Sequence, residues 1–129
     1  MNDDLALALE AASINAGKLQ ALLMQNGDAA GATQASTAKD ALFKASEQAD
    51  AVDAMQKLAT TAAYQQNLTD LTGGMNAATA ALAQDEANLA KFVSLGTQAV
   101  KLATALAAGP LDIPGAMGAI QSMIGTLGL

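Results

Sequence analysis

The sequence has no cysteine, histidine, arginine or tryptophan among its 129 residues, and each absence removes a class of function. Without cysteine, the chain forms no disulfides and holds no thiolate metal site. Without histidine or cysteine, a nucleophile and its base would have to come from Ser or Thr with Lys or a carboxylate, and no such set converges by spacing. We therefore expect no enzymatic activity, no cofactor and no metal site.

Aromatic side chains are also scarce, because Phe43, Tyr64 and Phe92 are the only rings. Alanine dominates a hydrophobic fraction of 52%, so a core has to be built from Ala, Leu, Ile, Val and Met. Small side chains let helices pack closely, but each contact buries little area at about 25 cal/mol per Å². Stability then requires long contact seams, or partners that extend them.

Positive charge is scarce as well, since six lysines stand against twelve carboxylates and the formal net charge is −6. Nucleic-acid binding needs clustered cations and stacking rings, so no nucleic acid is expected as a partner. Attraction to an anionic membrane surface is disfavoured for the same reason. The N-terminal stretch "MNDDLALALEAASINAGK" is acidic where a secretory signal is positive. We expect no Sec signal peptide and no spanning helix, with the protein either cytoplasmic or exported without a cleaved signal.

The carboxylates include two clusters that are candidates for binding a cation or a proton. Glu47, Asp50 and Asp53 share one ridge of a helix and offer oxygen ligands to a hard cation. Asp85 and Glu86 would form a proton-binding pair if both were buried. No loop or further ligand accompanies the ridge, and two consecutive helical residues do not both face a core. Both clusters are therefore interpreted as solvated acidic faces.

Helix signals run along nearly the whole chain, and no alternating β-branched run exceeds a few residues. We predict a single all-α domain, residues 1–129. Its architecture is an antiparallel helical bundle dominated by a long αα-hairpin, with an N-terminal helix and a short apolar C-terminal helix. The predicted helices cover about 4–25, 36–72, 76–108 and 113–127, with a linker at 26–35 and a break at 109–112.

Glycine-containing turns set the bounds of the first three helices. Asn26-Gly27 is a C-cap signal, and the small, polar stretch that follows it is typical of a linker. In "TGGMN" at 72–76, Gly73 is the expected C′ residue and Asn76 the next N-cap. The two long helices on either side of this turn are expected to pack side by side in opposite directions.

Apolar residues at helical spacing predict which face of each helix packs. In the third helix the stripe contains Gly96, which costs about 1 kcal/mol relative to Ala, so a neighbouring helix is expected to approach closely there. In the first helix Leu7 and Ile14 widen the apolar surface beside the main stripe. The predicted stripes are Leu5, Leu9, Ala12, Ala16, Leu19 and Leu23 in the first helix; Leu42, Ala45, Ala49, Val52, Met55, Ala59 and Ala62 in the second; and Leu82, Glu86, Leu89, Val93, Gly96, Val100 and Ala103 in the third.

The last helix has two distinct stripes. Pro110 ends the preceding helix, and Asp112 as cap with Pro114 in the first turn starts the new one. A heptad seam of large apolar residues covers one side. Its members are Ile113, Met117, Ile120, Ile124 and Leu127, and the separate stripe of small residues is Gly115, Gly118, Ser122 and Gly125. Small residues let two helix backbones approach closely.

These features favour a structural protein that associates with itself, as a filament or oligomer subunit, through Ala- and Gly-lined helix seams. The predicted interface residues are Gly96, Gly115, Met117, Gly118, Ile120, Ser122, Ile124, Gly125 and Leu127. Two alternatives stay open: a membrane-active protein that releases an apolar hairpin of 95–108 and 113–129 into a bilayer, and a helical adaptor that binds one protein partner. The composition is similar in style to that of bacterial secreted filament and translocator subunits, although no motif aligns with theirs.

Overall fold

A computed structural model describes residues 3–51, 62–108 and 113–128. Nearly all of the described residues are helical, and none lies in a strand. The predicted all-α helical bundle is therefore confirmed. The described elements are α1 (Asp3–Gln25), α2 (Ala29–Ala51), α3 (Ala62–Leu82), a short 3-10 helix (Glu86–Asn88), α4 (Leu89–Ala107) and α5 (Ile113–Leu127).

The five α-helices formed by the described residues pack in a closed ring, in the order α1, α2, α4, α5, α3 and back to α1. The hydroxyl of Ser13 donates to the Lys39 carbonyl oxygen at 3.0 Å, and that of Ser46 donates to the Ala6 carbonyl oxygen at 3.0 Å. The earlier residue of α1 bonds to the later residue of α2, and the later residue of α1 bonds to the earlier residue of α2. The two helices therefore form an antiparallel hairpin. These two buried serines satisfy their hydroxyls on the neighbouring backbone, as buried polar groups require.

The core inside the ring is built mainly from leucine and alanine, with Met75, Phe92, Ile120 and Met123 among its larger side chains. The predicted stripe of α1 is confirmed, since all six of its residues are buried. Leu7 and Ile14 are instead exposed, so α1 packs on a narrower face than predicted. The largest fully buried side chains are Phe92, Leu5, Leu9, Leu19, Leu23, Leu42, Leu71, Met75 and Leu95.

The turn between α1 and α2 is much shorter than the predicted linker at 26–35. Gly27 has a φ of 82° and donates to the Met24 carbonyl oxygen at 3.1 Å, while Asp28 N donates to that of Leu23 at 2.9 Å. This pair of bonds is a Schellman C-cap and confirms the predicted signal. Asp28 then caps α2, because its Oδ1 accepts from the Gly31 N–H at 2.9 Å. With this cap, α2 begins at Ala29, seven residues before the predicted start at 36.

The predicted turn at 72–76 is wrong, because α3 continues through it to Leu82. Among the described residues only Gly27 and Gly128 have positive φ, so Gly73 is not a C′ residue and Asn76 is not a cap. Leu71, Met75 and Thr79 are buried at four-residue intervals, and only a continuous helix places all three in the core. Burial outweighs the helix-breaking tendency of the two glycines.

The chain turns instead between α3 and α4, where Asp85 Oδ1 accepts from the Ala87 N–H at 2.9 Å and caps the 3-10 helix. The predicted helices 36–72 and 76–108 are therefore wrong in their bounds, and the long αα-hairpin that the structure contains is α1 with α2. Residues 52–61, including three members of the second predicted stripe, lie outside the described residues. The same is true of the break at 109–112 and of the Asp112 cap. The bounds of α5 agree with the prediction.

Candidate interaction surface

The inner face of α5 packs between α3 and α4. Of the predicted heptad seam, Ile120 and Leu127 are buried, whereas Met117 and Ile124 are half-buried at the edge of the core. Met123 is fully buried and was missed, although it continues the same spacing between Ile120 and Leu127. The helix is therefore rotated slightly from the predicted orientation. Its buried residues are Ala116, Ala119, Ile120, Met123 and Leu127.

The outer face of α5 carries the predicted small residues. Gly118, Ser122 and Gly125 are exposed, and Gly115 is half-buried. A Cβ atom added to Gly118 or to Gly125 would meet no atom within 4 Å. Neither glycine has positive φ, so neither the backbone nor the packing of this chain requires glycine at these two positions. We call Gly118, Ser122 and Gly125, with the edge residues Met117 and Ile124, the α5 outer face.

Gly96 has the opposite environment. It is buried in α4, and an added Cβ would lie 2.8 Å from Cα and 3.1 Å from Cβ of Ala38 in α2. The predicted close approach of a neighbouring helix is therefore confirmed, and the neighbour belongs to the same chain. Gly96 is placed in the contact between α2 and α4 and not on the α5 outer face.

The predicted stripe of the third helix is wrong at Val93 and Val100, which are exposed by 37% and 54%, whereas Gly96 is buried as predicted. The close contact at Gly96 sets the rotation of this helix and turns the two valines toward solvent. A sequence pattern alone does not distinguish the two apolar faces, since both have helical spacing. The residues that α4 does bury are Phe92, Leu95, Gly96, Ala99, Leu102, Ala105 and Leu106.

Polar contacts fix the rotation of α5 on α4. Gln98 Nε2 donates to Thr126 Oγ1 at 2.8 Å and lies 3.2 Å from Ser94 Oγ. The Thr126 hydroxyl donates to the Ser122 carbonyl oxygen at 3.0 Å. Any rotation of α5 that turned the glycines inward would break the bond between Gln98 and Thr126, so this bond holds the small residues on the outside.

Within the described residues, no group of three or more acidic side chains could hold a metal ion. Asp85 and Glu86 are both exposed, so they are not a buried proton-binding pair. Asp85 acts as a cap, and Glu86 Oε2 accepts from Asn26 Nδ2 at 3.0 Å. Glu47 is exposed, and the Asp50 side chain and Asp53 lie outside what the structure describes.

Two shallow grooves flank α2. The larger, of about 440 Å³, lies beside the α1–α2 turn and includes Met24 and Thr33; the smaller, of about 220 Å³, lies between α2 and α4 and includes Val93 and Val100. No charged residue lines either groove. Small-molecule sites usually combine an apolar cavity with convergent polar or titratable groups, which these two grooves lack.

No helix in the described ranges is both long and apolar enough to cross a bilayer. No protein-family model matches the chain, and no curated protein or solved structure matches it either.

Proposed function

We propose that this chain is a non-enzymatic structural protein that assembles with copies of itself, and that the α5 outer face is a contact surface in the assembly. One observation carries the proposal: Gly118 and Gly125 face open space and serve no need of their own chain. Each costs helix stability, about 1 kcal/mol relative to Ala. A second helix that packs against the glycines would account for them, since backbones approach closely only where side chains are absent.

The charge distribution supports the same surface. Two copies that each carry a net charge of −6 repel one another, and the repulsion is greatest where charged faces meet. Residues 113–128 contain no charged side chain. The α5 outer face therefore brings two copies together without placing carboxylates against carboxylates.

The edge residues supply apolar area for such a contact. Met117 and Ile124 are only half-buried, and they lie seven residues apart, about 10.5 Å along the helix. A helix seated on the glycines would cover the exposed parts of both side chains. That burial contributes about 25 cal/mol for each Å² removed from water.

Light scattering coupled to size-exclusion chromatography tests the proposal. We expect the unmodified chain to have a mass above the monomer value of 12.8 kDa that rises with concentration. Gly118→Glu, which adds a charge and a side chain to the α5 outer face, should shift the equilibrium strongly toward smaller species. Gly73→Glu is a matched control, since Gly73 is also an exposed helical glycine with nothing within 4 Å. A chain that is monomeric at every concentration, or equal effects of the two substitutions, would contradict the proposal.

The two alternative functions predict different outcomes with the same protein. A membrane-active protein would release dye from vesicles and float with them, and Gly118→Glu would reduce both effects. An adaptor would stay monomeric and would bind a different helical protein in a fixed ratio. The open glycines fit close contact with any second helix, and the absence of charged side chains from residues 113–128 favours a second copy of this acidic chain as the partner.

A further inference from the structure

The outer face of α1 carries a second row of exposed apolar side chains. Leu7 and Ile14 are 59% and 55% exposed, and Ala21 continues the row on the same face. Successive members are seven residues apart, about 10.5 Å along the helix. Exposed Glu10 and Lys18 lie on either side of this row. We call these five residues the α1 outer face.

The five positions are symmetric about Ile14. Leu7 and Ala21 each lie seven residues from it, and Glu10 and Lys18 each lie four residues from it. A two-fold axis at Ile14 pairs a helix with an antiparallel copy of itself, so that residue i meets residue 28 − i. Ile14 then meets Ile14 of the second copy, Leu7 meets Ala21, and Glu10 meets Lys18.

The charges decide the direction of the pairing. Within the described part of the chain, neither Glu10 nor Lys18 has a hydrogen-bond or ion-pair partner. In an antiparallel dimer, Glu10 of each copy lies opposite Lys18 of the other copy. The dimer therefore contains two pairs of opposite charge. A parallel copy in register would place Glu10 against Glu10 and Lys18 against Lys18, which is repulsive. The charge pattern therefore fits one orientation and opposes the other.

We propose that α1 pairs with α1 of a second copy, antiparallel and about a two-fold axis at Ile14, with two Glu10–Lys18 ion pairs flanking an apolar centre. This contact extends the proposed self-association to a second surface and does not depend on the α5 outer face. It buries Leu7 and Ile14, two large apolar side chains that the fold of a single chain leaves in water.

Disulfide trapping tests the axis, because the natural sequence contains no cysteine. Ile14→Cys should form a covalent dimer on mild oxidation. Leu7→Cys should not cross-link with itself, since two such positions lie about 21 Å apart in the antiparallel pair and a disulfide needs Cα atoms within about 7 Å. A mixture of Leu7→Cys and Ala21→Cys chains should cross-link efficiently. Self-cross-linking of Leu7→Cys to the extent seen for Ile14→Cys would overturn the antiparallel arrangement.

Charge reversal tests the ion pairs. Glu10→Lys and Lys18→Glu should each weaken association about tenfold, since each converts two attractive pairs into repulsive ones. An equimolar mixture of the two variants should associate as tightly as the unmodified chain, because every pair is then again of opposite sign. Both residues are exposed, so helicity measured by circular dichroism should not change. A mixture that associates no more tightly than the separate variants would overturn the proposal.

The two contact surfaces are distinguished by combining variants. The Ile14→Cys cross-link should persist in a Gly118→Glu background, since the two substitutions affect different helices. If the cross-link is absent while Gly118→Glu still lowers the assembled mass, only the α1 pairing is wrong. If the cross-link forms and Gly118→Glu changes nothing, only the assignment of the α5 outer face is wrong.

Discussion

Glycine plays opposite roles at two helical positions of this chain. Gly96 is required by its own fold, because an added Cβ would lie 2.8 Å from the Ala38 backbone. Gly118 is not, since an added Cβ would meet nothing within 4 Å. The same residue type therefore marks an internal contact in one helix and an unoccupied surface in another.

Replacing each of these glycines by alanine should change stability with opposite signs. Gly96→Ala should lower the free energy of unfolding by about 1–3 kcal/mol, because overpacking against α2 outweighs the gain in helix propensity. Gly118→Ala should raise it by up to about 1 kcal/mol. Urea unfolding at a concentration where the chain is monomeric measures both. Two changes of the same sign would show that the distance to Ala38 does not control the contact.

Buried polar groups link α1 to α3. Asn15 Nδ2 donates to Thr79 Oγ1 at 2.6 Å, and the Thr79 hydroxyl donates to the Met75 carbonyl oxygen. Thr79→Val should destabilise the protein by about 1–3 kcal/mol, because the Asn15 amide is then buried without a partner. Asn15→Leu combined with Thr79→Val should recover much of the loss in thermal unfolding. A double variant no more stable than Thr79→Val would argue against this coupling.

A helix begins or ends at a capping residue where the sequence supplies one. Elsewhere the burial of apolar side chains decides where the helix ends. The ends of α1 and α5 could be predicted from local signals, and Gly27 makes the predicted C-cap. The continuation of α3 through Gly73 could not be predicted, because it depends on the burial of Leu71 and Met75. The sequence alone does not show which helices these two residues contact. The predicted start of α2 is too late, because the small and polar stretch after Asn26 is typical of a linker. The side chain of Asp28 in this stretch instead caps the helix.

The cap at Asp28 gives a direct test of this view. Asp28→Ala should lower the free energy of unfolding by about 0.5–2 kcal/mol, since the Gly31 N–H loses its acceptor. Asp28→Asn keeps an acceptor oxygen and should be close to neutral. The comparison by thermal unfolding separates the hydrogen bond from the loss of side-chain volume. Equal effects of the two substitutions would contradict a capping role.

The buried and exposed faces of the helices could be predicted only in part. Val93 and Val100 were placed inside the bundle and Met123 was not, because each helix has more than one apolar face and only its neighbours select between them. The small residues of α5 were found from spacing alone. The exposed row on α1 could not be predicted, since the spacing of Leu7 and Ile14 indicates a wider apolar face of the same helix.

The arrangement of the whole molecule sets the form of the proposed assembly. The α1 and α5 outer faces lie on helices that are not neighbours in the ring, so one face does not block the other. In the proposed assembly each face pairs with the same face of another copy, so that a chain with two such faces would join copies in alternation without a fixed end.

Variants that block one face should therefore stop growth at a defined size. At a concentration at which a tenfold loss of affinity separates the α1 contact, Glu10→Lys should give a dimer of about 26 kDa, twice the chain mass of 12.8 kDa, and Gly118→Glu should give a dimer by blocking the α5 outer face. The combined variant should be a monomer. Sedimentation velocity over a range of concentrations measures all three. A combined variant that still forms large species would show that another surface joins the copies.

The ring order also has a kinetic consequence. The α1–α2 hairpin is closed by three residues, 26–28, so its contacts are local and inexpensive in loop entropy. By contrast, α5 must fit between α3 and α4, which are consecutive in sequence and are not neighbours in the ring. Contacts that form late contribute mainly to the rate of unfolding. We therefore expect the helix that carries the open glycines to dock last and to detach first, so that an assembly built on it would slow the opening of the bundle.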